Sequence, residues 1–428
     1  LLEMHHIASD GWSIPLLVKE LESIYSAQLM GVQANLPLLP IQYADYSLWQ
    51  RNYLQGGLLE SKLDYWVSHL EGVEVLSLPT DYPRPPVQQT DGSRHRFEIG
   101  SELTKELRSL CHDQGATLFM VLLSMYKILL SKYSGQSDIC VGVPIANRDQ
   151  TEVSSLIGFF VNTLALRSEV GQDLSYLAFL SQIKEMTLSG YSHQDVPFER
   201  VVDRVVRTRD LSRSPLFQTM FVLQNNEQVV DVHLGDNKVS FVDFSSGTSK
   251  FDLEFIAVEH EDHLALEIEY STALFKQETI ERMSFHFKEL IQSILQNRNS
   301  KIMELSMLPV TERVQVLEQF NATDVTYNLN NTVLDHLKSR VSKDPSKVAV
   351  KFRDVCLTYK ELDEKSSQLA QYLRNKGVKN QELVVLCLDR SLEMIVSILG
   401  TLKANCAYVP VDPKFPSDRI QYILNDTK

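Results

Sequence analysis

The stretch MHHIASDGWS, Met4–Ser13, sets two adjacent histidines, an aspartate and a glycine between two segments of ordinary pattern. Before it, LLEMHH reads as the end of a strand. After it, SIPLLVKELESIYSAQLMG, residues 13–31, reads as an amphipathic helix. Ser13 caps that helix, Pro15 suits its first turn, Ile14, Leu17, Leu21, Ile24 and Leu29 form its apolar stripe, and Gly31 stops it. The histidines then occupy a strand-to-helix loop, a common place for catalytic groups.

Histidine handles protons near neutral pH better than any other side chain. Neighbours on a strand end point in opposite directions, so only one of His5 and His6 faces a given cavity. Asp10 orients a neighbouring group or fixes the loop through an ion pair. Gly11 lets the backbone turn tightly or approach a substrate, and the helix start offers unpaired N–H groups to developing negative charge. No third histidine, cysteine or carboxylate stands at ligand spacing, so no metal site is read here.

The whole chain has 428 residues, enough for two or three cores. Its net charge of −13 argues against a general binder of nucleic acid or anionic membrane. The five cysteines, Cys111, Cys140, Cys356, Cys387 and Cys406, are scattered without a CxxC pair and read as small buried hydrophobes in a reducing compartment, hence a cytoplasmic protein. No apolar run is long enough to span a bilayer. Residue 1 is Leu and the chain stops at ILNDTK, so both ends read as cut and the chain as a fragment of a longer polypeptide.

Downstream, a helical segment runs from Tyr43 to Leu70 with a break at Gly56-Gly57, and the Pro-rich LPTDYPRPPVQQTDGS, residues 78–93, reads as a crossover. RHRFEIG, DICVGVPIANR, IGFFVNTLALRSEV, FQTMFVLQN, KVSFVDF, FDLEFIAVEH and HLALEIEYS read as strands. Helices are read at SELTKELRSLCHDQG, TLFMVLLSMYKILLSKYSG, Leu174–Ser189 and Gln277–Gln296. The order lacks a regular βαβ rhythm, so the expected fold is α/β with a mixed sheet. Residues 301–328 read as a linker with a short helix, and 329–428 as the start of a second α/β domain with a parallel sheet.

MHHIASDGWS resembles the signature of condensation domains of nonribosomal peptide synthetases, which share the chloramphenicol-acetyltransferase-like two-lobed fold. YADYSLW (Tyr43–Trp49), IGFFVNTLALR (Ile157–Arg167), HQDVPFE (His193–Glu199) and RDLSRSPL (Arg209–Leu216) resemble later motifs of the family, in order. The resemblance covers roughly residues 1–300, with the N-terminal part missing. LTYKEL (Leu357–Leu362) and LKANCAYVPVDP (Leu402–Pro413) resemble the first two motifs of adenylation, or AMP-binding, domains, except that Asn405 stands where glycine is usual.

The resemblance implies a peptide-bond-forming acyltransferase. An upstream acyl or peptidyl thioester and a downstream aminoacyl amine would meet on 4′-phosphopantetheine arms of two partner carrier domains. The following domain would activate an amino acid with ATP and Mg²⁺. By position His6 is the catalytic residue, presented to a cavity where the two thioesters meet, as base or as the group that positions the amine. His5 faces away and supports the loop. Asp10 makes a structural ion pair with Arg148 as candidate partner, Gly11 brings backbone near the reacting centre, and Trp12 packs. Asn162, Gln194 and Asp195 are polar residues in apolar surroundings, and read as fold-fixing hydrogen bonders or tunnel lining. Arg167, Arg209 and Arg213 read as ion-pair or surface residues. SDGWS and HQDVPFE resemble the branch that takes an L-configured donor. The competing reading is a non-catalytic module of the same superfamily that only docks carrier domains. Intact His5, His6, Asp10 and Gly11 speak for catalysis.

Overall fold

The computed structural model describes residues 4–208, 210–224, 232–235, 237–239, 247–327 and 329–427. By internal contacts the chain divides into two units, 1–321 and 322–428.

Among the described residues of the first unit, three α-helices precede the first strand: α1 (Ser13–Leu29), α2 (Tyr43–Tyr53) and α3 (Gly56–Leu70). Then come β1 (Gly92–Ile99), α4 (Ser101–Gln114), α5 (Leu118–Ser134), β2 (Asp138–Ile145), β3 (Asn162–Glu169), α6 (Tyr176–Tyr191) and α7 (Phe198–Val205). β4 (Thr219–Gln224), the short hairpin β5 (Val232–Leu234) and β6 (Asn237–Val239), β7 (Leu253–Glu259), β8 (Leu264–Ser271), α8 (Gln277–Gln296) and α9 (Val310–Val314) complete it.

Six strands form one mixed sheet in the order β1-β8-β7-β4-β2-β3. β1 lies antiparallel to β8 with Gly92 opposite Ser271 and Ile99 opposite Leu264. Strand alternation sends Phe97 and Ile99 inward, while Arg94 and Arg96 pair with Glu269 and Glu267 across the strands. β4 runs parallel to β7, but meets β2 in register only at Gly142 and Met220. A Cβ on Gly142 would lie 2.2 Å from the Phe217 ring, so only glycine admits that ring there. Behind the sheet, α5 is buried from Met120 to Ser131. Its Lys127 gives its Nζ donors to Ile139 O, Leu166 O and Ser168 Oγ, tying the helix to β2 and β3. The rings of Tyr126, Phe221, Phe255 and Phe287 pack between helix and sheet.

Several sequence expectations change. The histidines do not lie on a strand: Met4 and His5 are irregular and His6–Ala8 form one 3-10 turn, because the His5 Nδ1 accepts the Ile7 N–H and nucleates a local bend. The break in the second helical segment falls at Leu54–Gln55, and the two glycines open α3. Residues 157–160 are irregular, and β3 starts at Asn162. Only the first part of KVSFVDF lies within the described residues. Cys140 and Cys406 are buried and Cys111 half-buried, but Cys356 and Cys387 are exposed, since they stand on small two-stranded sheets in the second unit. The segment read as a linker begins inside the first unit: Ile302 and Leu305 join its core, and Glu312 pairs with buried His286 at 2.6 Å.

The second unit contains α10 (Val333–Lys343), the antiparallel pair β9 (Val348–Phe352) and β10 (Val355–Thr358), and α11 (Tyr359–Asn375). β11 (Leu383–Cys387) follows, then α12 (Leu392–Lys403), β12 (Ala407–Val411) and α13 (Ser417–Asp426). β11 and β12 are parallel, as strand–helix–strand order requires. Thr358 caps α11 in a box with Glu361. Asn405 has φ of +64°, the left-handed conformation that Asn tolerates.

Candidate functional site

The site is built around Asp10, not around the histidines. Its carboxylate is almost fully buried. Oδ2 accepts the Phe160 N–H at 2.9 Å, and Oδ1 accepts the Ser13 N–H at 2.9 Å and Arg148 Nη2 at 3.1 Å. Burial alone would raise its pKa. The Phe160 amide, the Ser13 hydroxyl, the Arg148 charge and the Ser13 amide outweigh that and hold it below the ordinary 3.8.

Arg148 follows the end of β2 and is equally committed. Nη1 donates to Val153 O and Leu156 O at 2.9 and 2.7 Å, Nη2 also reaches Ser13 Oγ at 2.9 Å, and the guanidinium lies 4.2 Å from the Phe160 ring centre. Ser13 Oγ sits 2.9 Å from both Asp10 Oδ1 and Gly158 O, so its one proton serves one of them at a time. It also accepts the Gly158 N–H at 3.1 Å. Helix-capping preference assigns Ser13 to the cap of α1. Trp12 holds that position instead, with no capping bond, and Ser13 begins α1 with its hydroxyl turned into the cluster. Trp12 is half-buried.

This cluster ties the loop of residues 9–13 to residues 158–160, and the two phenylalanines there face different ways. Phe160 is buried against Tyr43 and Tyr46. Phe159 is exposed and meets the His6 ring edge-on at 5.0 Å. His6 Nδ1 lies 2.6 Å from Ser9 O. A carbonyl only accepts, so Nδ1 carries hydrogen and Nε2 of the neutral ring is left with its lone pair.

His5 and His6 are both exposed, and none of the three cavities described, of about 850, 200 and 10 Å³, is lined by either of them or by Asp10 or Gly11. Phe159 walls the His6 ring on one side, and Ser9 O takes its Nδ1. Gly11 has no left-handed φ, and a Cβ there would meet nothing within 4 Å, so the turn does not demand glycine. The start of α1 is also less open than expected, since the Ser13 N–H is taken by Asp10 and Pro15 has none.

Asn162, Gln194 and Asp195 form a separate group. Asn162 Nδ2 donates to Gln194 O and Val196 O at 2.8 and 2.7 Å, and its Oδ1 accepts the Phe198 N–H at 3.0 Å. It clamps the turn before α7, an eight-residue helix not foreseen from the sequence. Gln194 Nε2 donates to Asp149 at 2.7 Å, and Asp195 pairs with Lys62 of α3. Arg167 forms an ion pair with Asp138, and Arg213 one with Asp210. Arg209 lies outside the described residues.

Sequence reading missed Gly158, Phe159, Phe160 and Tyr43 as site residues, although all four lie in the quoted motifs. A Cβ on Gly158 would lie 2.3 Å from the Tyr43 ring, and the Tyr43 hydroxyl donates to Phe159 O at 2.7 Å. Two adjacent phenylalanines give no hint in sequence of which ring faces the histidine.

A six-stranded mixed sheet backed by helices, with Asp10 and Ser13 of the His-His-x-x-x-Asp-Gly loop tied to residues 158–160 ahead of β3, is a condensation-type fold. The chain belongs to the Condensation domain family, which it matches over residues 1–317, and residues 337–428 match the AMP-binding enzyme family. It is 41% identical over 429 residues to gramicidin S synthase 2 of Brevibacillus brevis, covering 100% of this chain and 9% of that protein. To bacitracin synthase 3 of Bacillus licheniformis it is 41% identical over 431 residues, covering 100% of this chain and 7% of that protein. The chain thus spans less than a tenth of these relatives. Among solved structures, a holo four-domain nonribosomal peptide synthetase bound to AMP and glycine matches with a TM-score of 0.84 at 26% identity, covering 99% of this chain and 33% of that one.

Proposed function

We propose that the first unit forms an amide bond between an upstream carrier-bound acyl or peptidyl thioester and a downstream carrier-bound aminoacyl amine, within a longer synthetase. The amine nitrogen attacks the thioester carbonyl, a C–N bond forms, the C–S bond breaks, and the amine proton leaves with the phosphopantetheine thiol. The observation that carries this reading is His6. Its Nδ1–H is spent on Ser9 O, so Nε2 is the free acceptor for an amine N–H, on a loop that Asp10 and Arg148 hold in place. Gly11 has open space where a Cβ would stand, which suits a backbone that tethered substrates approach.

His5 props the turn through Ile7, and Asn162, Gln194 and Asp195 act as fold-fixing groups. The partners are peptidyl carrier domains bearing 4′-phosphopantetheine. The second unit begins an adenylation domain whose complete form uses ATP and Mg²⁺. Among the described residues no His, Cys, Asp and Glu group is arranged to hold a metal ion, and no residue here is assigned to the nucleotide. The five thiols are free, which supports a reducing, cytoplasmic setting. Among the described residues no single helix is long and apolar enough to cross a membrane.

The test is His6→Ala in an intact synthetase carrying this module. General-base or positioning loss predicts a fall in dipeptidyl-carrier formation of roughly 10²-fold or more, with amino-acid activation unchanged. Undiminished dipeptide refutes the assignment. Carrier binding without any amide formation in the unmodified protein would favour a docking module instead.

A further inference from the structure

We propose that the cavity between α2 and the loop after β2 is a binding site for a small organic ammonium ion. This cavity lies outside the Asp10 cluster. It encloses about 200 Å³ and is lined by Tyr46, Trp49 and Tyr53 on one side and by Asn147, Asp149 and Asp195 on the other. That is well above the roughly 10–15 Å³ that a single water needs.

The three rings come from one helix at positions i, i+3 and i+7, so they share a face. Tyr46 and Trp49 have ring centres 5.8 Å apart, and Trp49 stacks on Tyr53 at 5.0 Å with planes 10° apart. Aromatic side chains attract cations to their π systems, and three of them line this wall. The facing wall adds formal negative charge. Asp149 is exposed, accepts an amide N–H from Gln194, and has no basic partner among the described residues. Asp195 is already paired with Lys62, so it contributes a carboxylate that is half-satisfied.

Burial, Tyr43 and the negative charges of Asp195 and Asp149 push the Tyr46 hydroxyl up to about 12. That hydroxyl receives Gln50 Nε2 at 3.3 Å and Asn147 Nδ2 at 3.5 Å, which keeps it in place at the cavity wall. An anion would meet two carboxylates here, and a neutral apolar group would have to strip Asp149 of water without compensation. A compact, weakly hydrated alkylammonium satisfies both walls at once.

The experiment is ligand-observed saturation-transfer NMR on the intact polypeptide, comparing tetramethylammonium with its uncharged isostere tert-butanol at constant ionic strength. Tetramethylammonium is expected to bind saturably and tert-butanol not to. Asp149→Asn, which removes the charge and keeps an acceptor oxygen for Gln194, should weaken binding about threefold to tenfold, and Trp49→Leu by a similar factor. Lys62→Met removes the competing cation from Asp195 and should tighten binding, an effect that a merely apolar cavity would not show. Equal signals from the two probes, or an affinity untouched by both Asp149→Asn and Lys62→Met, overturn the proposal.

Discussion

Arg148 and Asp10 form a sealed ion pair, 3.1 Å from nitrogen to oxygen with side chains 5% and 1% exposed, across 138 residues of chain. A buried pair of this kind is costly to break from one side, because the survivor keeps its charge and loses its counter-ion. Asp10→Ala is therefore expected to cost roughly 3–5 kcal/mol of the first unit's stability, and Asp10→Asn somewhat less, since an acceptor oxygen survives. Urea unfolding measures both. A variant as stable as the parent but inactive would transfer Asp10 from structural support to chemistry.

The same carboxylate sets an acid limit. Its folded pKa lies below its ordinary 3.8, so it contributes stability above that value and loses it as pH falls through the lower folded value. Unfolding midpoints taken between neutral pH and about pH 3 should drop less steeply in Asp10→Asn than in the parent. Parallel curves would show that other carboxylates govern acid unfolding.

Gly11 and Gly158 should behave oppositely. With open space around it, Gly11→Ala should change stability by no more than about 0.5 kcal/mol, so any loss of amide formation reports crowding of substrate. Gly158→Ala drives a methyl into the Tyr43 ring and should cost about 1–3 kcal/mol. Thermal melts of the two variants, run beside a condensation assay, separate the effects.

Asn162→Ala removes three hydrogen bonds to the backbone of residues 194–198 and should cost about 2–3 kcal/mol, with faster amide exchange at the start of α7. If the exchange there is unchanged, Asn162 is not the clamp of this turn.

Periodicity makes the long elements readable: α8 runs over Gln277–Gln296 as its apolar spacing demands, and α5 is buried as its all-round apolar surface requires. The Asp10–Arg148 pair is legible through the family resemblance rather than through any local pattern. Short elements are less visible. A three-residue 3-10 turn and the eight-residue α7 carry too few positions for a period to show. The hydrogen bond from Phe160 N to Asp10 joins residues 150 apart, and nothing local announces it. Ser13 illustrates a different failure: a residue suited to capping is drawn instead into a network set by tertiary neighbours.

The single register pair between β2 and β4, at Gly142 and Met220, makes that line the natural fault plane of the sheet. Arg148 trails β2 and Phe160 leads into β3, and β2 and β3 are bonded to each other along their whole length. Everything that grips the Asp10 loop thus sits on one bank of the fault. Slippage between the banks, which α5 spans through Lys127 on one side and Tyr126 on the other, would carry the histidine along as passenger, its bearing unaltered.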